Sequence, residues 1–156
     1  MSAPWDVVAT VPDPELPAVT IADLGILRSV SVVDGRVVVT VTPTYSGCPA
    51  LAEITADVRR ALTDAGYADA EVHTVLAPAW TTDWITEAGR RKLAEYGIAP
   101  PGAVSPAPSV SLPLSVRCPQ CGSPDTRESS RFSGTPCRAL WVCRACREPF
   151  EHMKAL

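Results

Sequence analysis

Basic residues are missing from the first 27 positions, MSAPWDVVATVPDPELPAVTIADLGIL, the first being Arg28. A secretory leader opens on a positively charged segment, so this start is not expected to be one. Long hydrophobic runs are missing too: no stretch approaches the about 20 apolar residues that a membrane helix needs. A large excess of either charge is also lacking. The chain carries 14 Lys and Arg against 17 Asp and Glu, a net −3, which does not fit a general nucleic-acid binder. Histidine is scarce, with only two in the chain, and neither adjoins Cys48 in sequence. These absences predict a cytoplasmic protein. Thiols stay reduced there, and paired cysteines serve metals more often than disulfides.

What is present fits a globular protein: 156 residues, 46% hydrophobic and 20% charged. That length suits one domain or two small ones. Residues 99–113, APPGAVSPAPSVSLP, hold five prolines and no charge. Such a stretch is expected to be an extended, semi-rigid linker. Before it, residues 1–98 carry a net −6; after it, residues 114–156 carry a net +3. The change of sign predicts a first domain over 1–98 and a second over 114–156.

The first domain reads as α/β (α+β), a small mixed sheet with helices in the order α-β-β-α-β-α. Ser2 is placed to cap a short helix from Ala3 to Val11, with Pro4 in its first turn. Two β-branched runs, Ile26 to Val33 and Arg36 to Val41, are joined by Asp34-Gly35, a strong hairpin signal. From Pro49 to Ala65, apolar residues at Leu51, Ile54, Val58, Ala61, Leu62 and Ala65 line one helical face, and Gly66 ends it. Ala70 to Leu76 is expected to be a third strand. Thr82 or Asp83 is expected to cap a last helix through Tyr96, closed by Gly97.

This layout puts Cys48 at or next to the N-cap of the long helix, because Pro49 suits the first helical position. There the helix dipole and unpaired N–H groups favour thiolate, so a lowered pKa is expected. The chemistry would suit a nucleophile, a redox thiol or a soft-metal ligand. The competing reading is a small buried hydrophobe. In DPELP, Asp13 and Glu15 alternate with Pro14 and Pro17, so the chain is stiff and not helical there. The two carboxylates could hold a cation or act as a base near Cys48, or belong to a solvated turn. Asp23, in TIADLG, reads as a turn or cap residue.

The second domain holds Cys118-x2-Cys121 and Cys143-x2-Cys146, separated by 21 residues. Four thiolates so spaced can meet at one tetrahedral Zn²⁺; two disulfides, a redox CxxC pair or iron in a rubredoxin-like site are the alternatives. A segment this short buries little core, so a metal cross-link is needed to fold it. Cys137 is left over and is expected outside the ligand shell, as is His152. His73 reads as a surface residue, and the Trp80 and Trp84 pair as core or interface.

DPELPAVTIADLGILRSV, a DG hairpin and TPTYSGCPALAEI together resemble the iron–sulfur assembly factor family over about residues 4–77. That resemblance implies that Cys48, Asp13 and Glu15 handle iron or a cluster. The C-terminal run from Gly134 to Phe150, GTPCRALWVCRACREPF, extends the likeness to nearly the whole chain. The fused pair is similar to the D-subunit family of bacterial phenylacetyl-CoA epoxidases. This implies a non-catalytic accessory or maturation subunit in phenylacetate degradation. Its partners would be the oxygenase subunit, with its diiron centre, and the iron–sulfur and flavin reductase. Structural zinc and transient iron or an iron–sulfur cluster are the implied metals. One thiolate and two carboxylates are too few to keep a cluster, so a homodimer or a partner would supply the missing ligands. Two other readings remain. A zinc-ribbon nucleic-acid binder is opposed by charge, since a Zn(Cys)₄ site of −2 reduces the ribbon to about +1. A thiol enzyme using Cys48 would need a base brought close in space.

Overall fold

The computed structural model describes residues 1–102, 104 and 115–156. They form two compact units, Met1–Gly89 and Arg90–Leu156. The fold is mixed α+β, with two small sheets and three α-helices among the described residues.

The first unit opens with α1, Pro4–Ala9. Proline is tolerated there because a first-turn N–H has no helical partner. The residue before the helix is Ala3, in extended conformation, and no side chain caps it, so Ser2 does not play the expected role. β1, Leu27–Val33, and β2, Arg36–Val41, pair antiparallel. Their turn uses positive φ at both Asp34 (50°) and Gly35 (82°), the pair of left-handed residues that a two-residue hairpin with the right twist requires. α2 runs over Ala50–Asp64 and β3 over Ala70–Thr74, the latter parallel to β2. The resulting sheet has the order β1-β2-β3.

α2 buries Ala50, Ile54, Val58 and Leu62, a stripe at four-residue spacing. On the sheet, Val37, Val39 and Val41 of β2 are buried at every second position. Each such side chain contributes roughly 1.5–3 kcal/mol when fully buried. At the end of α2, Gly66 has φ 96°. Its N–H donates to the Thr63 carbonyl at 3.0 Å, and Tyr67 N–H donates to the Leu62 carbonyl at 2.8 Å. This double closure satisfies two orphan carbonyls of the last turn.

The last helix starts later than the sequence suggests. Thr81 caps only a 3-10 turn, Thr82–Trp84, through the Asp83 N–H. α3 spans Glu87–Glu95, and the Thr86 hydroxyl accepts from the Gly89 N–H at 2.9 Å, so Thr86 is its cap. Gly89 lies against Asp23, where an added Cβ would come within 2.8 Å of the Asp23 carbonyl oxygen. Trp80 is buried and its Nε1 donates to the Leu24 carbonyl, whereas Trp84 is half-buried beneath the Arg28 guanidinium. Their four-residue spacing therefore does not mark one helix face.

The second unit holds β5, Thr126–Ser130, β6, Arg138–Cys143, and β7, Pro149–Met153, paired antiparallel in succession. A two-residue strand, β4, Ile98–Ala99, adds to β7 in parallel. The sheet order is β4-β7-β6-β5. Residues before the proline-rich stretch thus join the ribbon sheet, and the compact unit reaches back to Arg90. The expected linker at 99–113 starts within β4 and lies mostly outside the described residues. Ala99, Cys118, Ala139, Trp141, Cys143 and Phe150 make the small core.

Candidate metal and thiol sites

Cys48 sits one residue before Pro49, which occupies the N-cap of α2. It is half-buried and unpaired with any other cysteine. The loop leading to it, Thr44 to Gly47, closes on itself: Gly47 and Cys48 N–H both donate to the Tyr45 carbonyl, at 3.1 and 3.3 Å. The Ala50 backbone and the Thr44 side chain favour the thiolate, and the charges of Glu15 and Asp13 disfavour it. The fold therefore brings together the three residues that the sequence points to, across more than thirty positions of chain.

The expected lowering of the Cys48 pKa is overturned. Burial pushes the thiol up, the Ala50 N–H works against this, and the Glu15 and Asp13 carboxylates push it further up. Cys48 lies outside the helix proper, so it gains one helical N–H while facing two negative charges. At neutral pH it is a thiol, not the exposed thiolate expected from the helix terminus alone. A bound cation would reverse the balance by compensating the carboxylates and stabilising thiolate.

Asp13 is neither solvated nor a free ligand. It is buried, and its Oδ1 accepts from the Glu15 and Leu16 N–H groups at 2.9 and 2.8 Å. The Asp13 N–H donates to the Val19 carbonyl at 2.9 Å, and Pro12 and Thr20 form an antiparallel bridge. The loop is thus closed at its base, with Asp13 setting its turn and Glu15 half-exposed at its bend. Asp23 is a turn residue, one of the two roles expected of it: its Oδ2 accepts from the Thr20 N–H, and the Thr20 hydroxyl accepts from the Asp23 N–H. Thr44, whose side chain favours the Cys48 thiolate, is a neighbour that sequence reasoning misses. Its signal is present in TPTYSGC, but a hydroxyl four residues before the thiol reaches it only if the loop folds back.

The second site is a cluster of four sulfurs. One ligand atom each from Cys118, Cys121, Cys143 and Cys146 lies within 4.8 Å of the others. Cys118 and Cys146 sulfurs are 3.7 Å apart, Cys121 and Cys143 sulfurs 3.6 Å. A tetrahedral Zn²⁺ with Zn–S bonds of about 2.3 Å spaces its sulfurs by about 3.8 Å. The donor set and its spacing therefore fit zinc, and the distances exclude disulfide bonds. The two knuckles place their ligands by tight turns: Gly122 N–H donates to the Cys118 carbonyl at 2.8 Å, with φ 74° at Gly122. Backbone N–H groups of Cys146 and Ala145 hold the Cys143 thiol down to about 7. The Glu148 backbone favours the Cys146 thiolate, yet burial and the crowding of Cys143, Cys121 and Cys118 push its thiol up to about 12. Crowded sulfurs that cannot all ionise unaided mark a place where a cation belongs.

Cys137 stands apart from this cluster; its thiol and the Thr135 hydroxyl are 2.9 Å apart. His152 also stands apart, packing edge-on to Trp141 at 5.7 Å between ring centres. His73 is exposed and hydrogen-bonded to Glu71. No helix among the described residues is long and apolar enough to cross a membrane.

An assembly-factor fold carrying one guarded thiol, joined to a four-cysteine ribbon, defines the class of this chain. The iron-sulfur cluster assembly protein family matches residues 5–74, and the PaaD zinc beta ribbon domain matches residues 106–154. A protein of Escherichia coli (strain K12), provisionally named as the D-subunit of 1,2-phenylacetyl-CoA epoxidase, is 45% identical over 97% of this chain and 91% of its own length. The chain belongs to that D-subunit family. The Fe-S protein maturation auxiliary factor YitW of Bacillus subtilis (strain 168) is 43% identical over 47% of this chain and 72% of its own. A crystal structure of a domain of unknown function, DUF59, from Bacillus anthracis superposes with a TM-score of 0.53. It is 30% identical and covers 58% of this chain and 87% of its own.

Proposed function

We propose that this protein is a non-catalytic accessory factor that assists the loading of iron or an iron–sulfur centre into the subunits of a phenylacetyl-CoA epoxidase system. The observation that carries this reading is the convergence of Cys48, Glu15 and Asp13 in a domain of the iron–sulfur assembly family. Support for the pathway comes from the likeness to the epoxidase D-subunit along nearly the whole chain.

Iron is the cargo of the Cys48 site. A site of one thiol and the nearby Glu15 carboxylate, with Asp13 already engaged in its turn, binds weakly and releases readily. Transfer needs such a site. The partner, an oxygenase or reductase subunit or a second copy of this chain, supplies the remaining ligands while the metal passes. Zinc is structural. Cys118, Cys121, Cys143 and Cys146 would hold it as a cross-link between the two knuckles, and it would stabilise a unit whose apolar core is small. No substrate chemistry is assigned to it, because four thiolates leave no open coordination position.

The test is to purify the oxygenase and reductase subunits from cells with and without this chain and to count their iron. The reading expects under-loading without it. Full loading in its absence removes the maturation role.

A further inference from the structure

The two knuckles of the ribbon are built alike. In each, the first cysteine lies in the core and the second reaches solvent. Cys118 is 2% exposed and Cys143 0%, whereas Cys121 and Cys146 are open. One edge of the sulfur cluster is thus shut inside the unit, and the opposite edge faces outward.

The inner edge is fixed by packing. Cys118 and Cys143 share the small core with Ala99, Ala139, Trp141 and Phe150. The Cys146 N–H also donates to the Cys143 sulfur at 3.5 Å. The outer edge has no such cover among the described residues. Residues 144–149 are all exposed, as are Gln120, Cys121 and Gly122.

This difference decides which sulfurs an oxidant meets. Cysteines that hold a metal are thiolates, and thiolate is the form that a peroxide oxidises. A solute arriving from water reaches Cys121 or Cys146 first. The oxidised sulfur then needs a second thiolate close by, and all four sulfurs lie within 4.8 Å of one another. A disulfide requires about 2.05 Å between sulfurs. Cys121 and Cys146 can close that gap by movement of exposed turns, whereas Cys118 or Cys143 would have to leave the core. We infer that the ribbon is a peroxide-sensitive switch, in which Cys121 and Cys146 join as a disulfide and the zinc is released. The switch rests on zinc being the metal of this site, as proposed above.

The chemistry balances with a peroxide as the oxidant. The first thiolate attacks a peroxide oxygen, which breaks the O–O bond, leaves a sulfenic acid on that cysteine and yields one water after a proton is taken up. The second thiolate attacks the sulfenic sulfur, forms the S–S bond and expels hydroxide, which takes a second proton. Two thiolates, one hydrogen peroxide and two protons thus give one disulfide and two waters. Cys118 and Cys143 remain reduced, too few to retain Zn²⁺. The ribbon then loses its cross-link and opens.

The test uses the full-length, zinc-loaded protein and hydrogen peroxide. A chromogenic chelator follows zinc release, alkylation and peptide mapping locate the disulfide, and amide exchange reports on each unit. Zinc and a Cys121–Cys146 disulfide should appear in equal amounts. Exchange should quicken over 115–156 and stay unchanged in Met1–Gly89. A phosphine reductant with added Zn²⁺ should restore the ribbon. Cys137→Ser, which removes the ribbon thiol outside the cluster, should release zinc at the same rate. Disulfides within the knuckles, Cys118–Cys121 or Cys143–Cys146, overturn the switch. So does zinc that stays bound while Cys48 and Cys137 are oxidised, or slower release from Cys137→Ser; in these cases the zinc site itself stands. A protein that holds no zinc as purified removes the site, and the switch with it.

Discussion

The sulfurs of Cys118 and Cys146 lie 3.7 Å apart although 28 positions separate them in sequence. That spacing is an edge of a thiolate tetrahedron and is far too long for a covalent bond. One Zn²⁺ per chain is expected. Replacing any of Cys118, Cys121, Cys143 or Cys146 by Ser should release the metal and unfold the ribbon, leaving the Met1–Gly89 unit folded. Metal content by mass spectrometry, read beside amide exchange in each unit, checks this. A stoichiometric zinc content in the Cys143→Ser variant would contradict it.

Glu15 is the first carboxylate acting on Cys48, and its negative charge raises the thiol pKa. Removing that charge in Glu15→Gln should bring the pKa down toward its ordinary value. Alkylation of Cys48 by iodoacetamide at neutral pH should then be faster than in the unaltered protein. The pH–rate profile should move to lower pH, because thiolate is the reacting form. Peptide mapping separates Cys48 from the other cysteines. A slower reaction, or no change, would mean that Glu15 does not act on the site.

Two loop positions should prove costly. At Gly25, φ is 74°, and an added Cβ would stand 2.6 Å from the Trp84 Cβ and 2.7 Å from its carbonyl oxygen. Gly25→Ala should cost about 1–2 kcal/mol in backbone strain and about 1–3 kcal/mol in crowding. Asp13→Ala leaves the buried N–H groups of Glu15 and Leu16 without their acceptor, at roughly 1–3 kcal/mol. Asp13→Asn keeps an acceptor oxygen and should be milder. Urea denaturation of the three variants gives the ranking, and Asn as damaging as Ala would refute the turn-setting role.

Much of the fold can be read from the sequence wherever the controlling interaction is local. Asp34-Gly35 announces its hairpin because both residues accept positive φ. Ile54, Val58 and Leu62 announce the buried face of α2 by spacing alone. The start of α3 is not legible because TTDWIT offers several capping residues, and only the tertiary position of the turn selects Thr86. β4 is invisible since two residues carry no periodicity and their pairing with β7 spans some fifty positions. The direction of the Cys48 pKa shift is hidden for the same reason. A helix terminus is visible in sequence, whereas burial and the carboxylates of a distant loop are not.

Nucleic acid should bind weakly and without sequence preference at physiological salt, since the chain carries a net −3 and zinc thiolate reduces the ribbon's positive charge. A gel-shift series over salt concentration checks this. Sub-micromolar, sequence-selective binding would overturn the accessory-factor account.

The iron content of the epoxidase subunits co-expressed with Cys48→Ser, against the same subunits co-expressed with the unaltered chain, tests the central claim most directly. The thiol is half-buried at a loop, so its replacement should cost little stability, within about 1 kcal/mol, and the zinc should be retained. The account predicts a folded, zinc-loaded variant whose partner subunits carry less iron and turn over phenylacetyl-CoA more slowly. Equal iron and equal turnover would contradict it and leave Cys48 a small packing residue before α2.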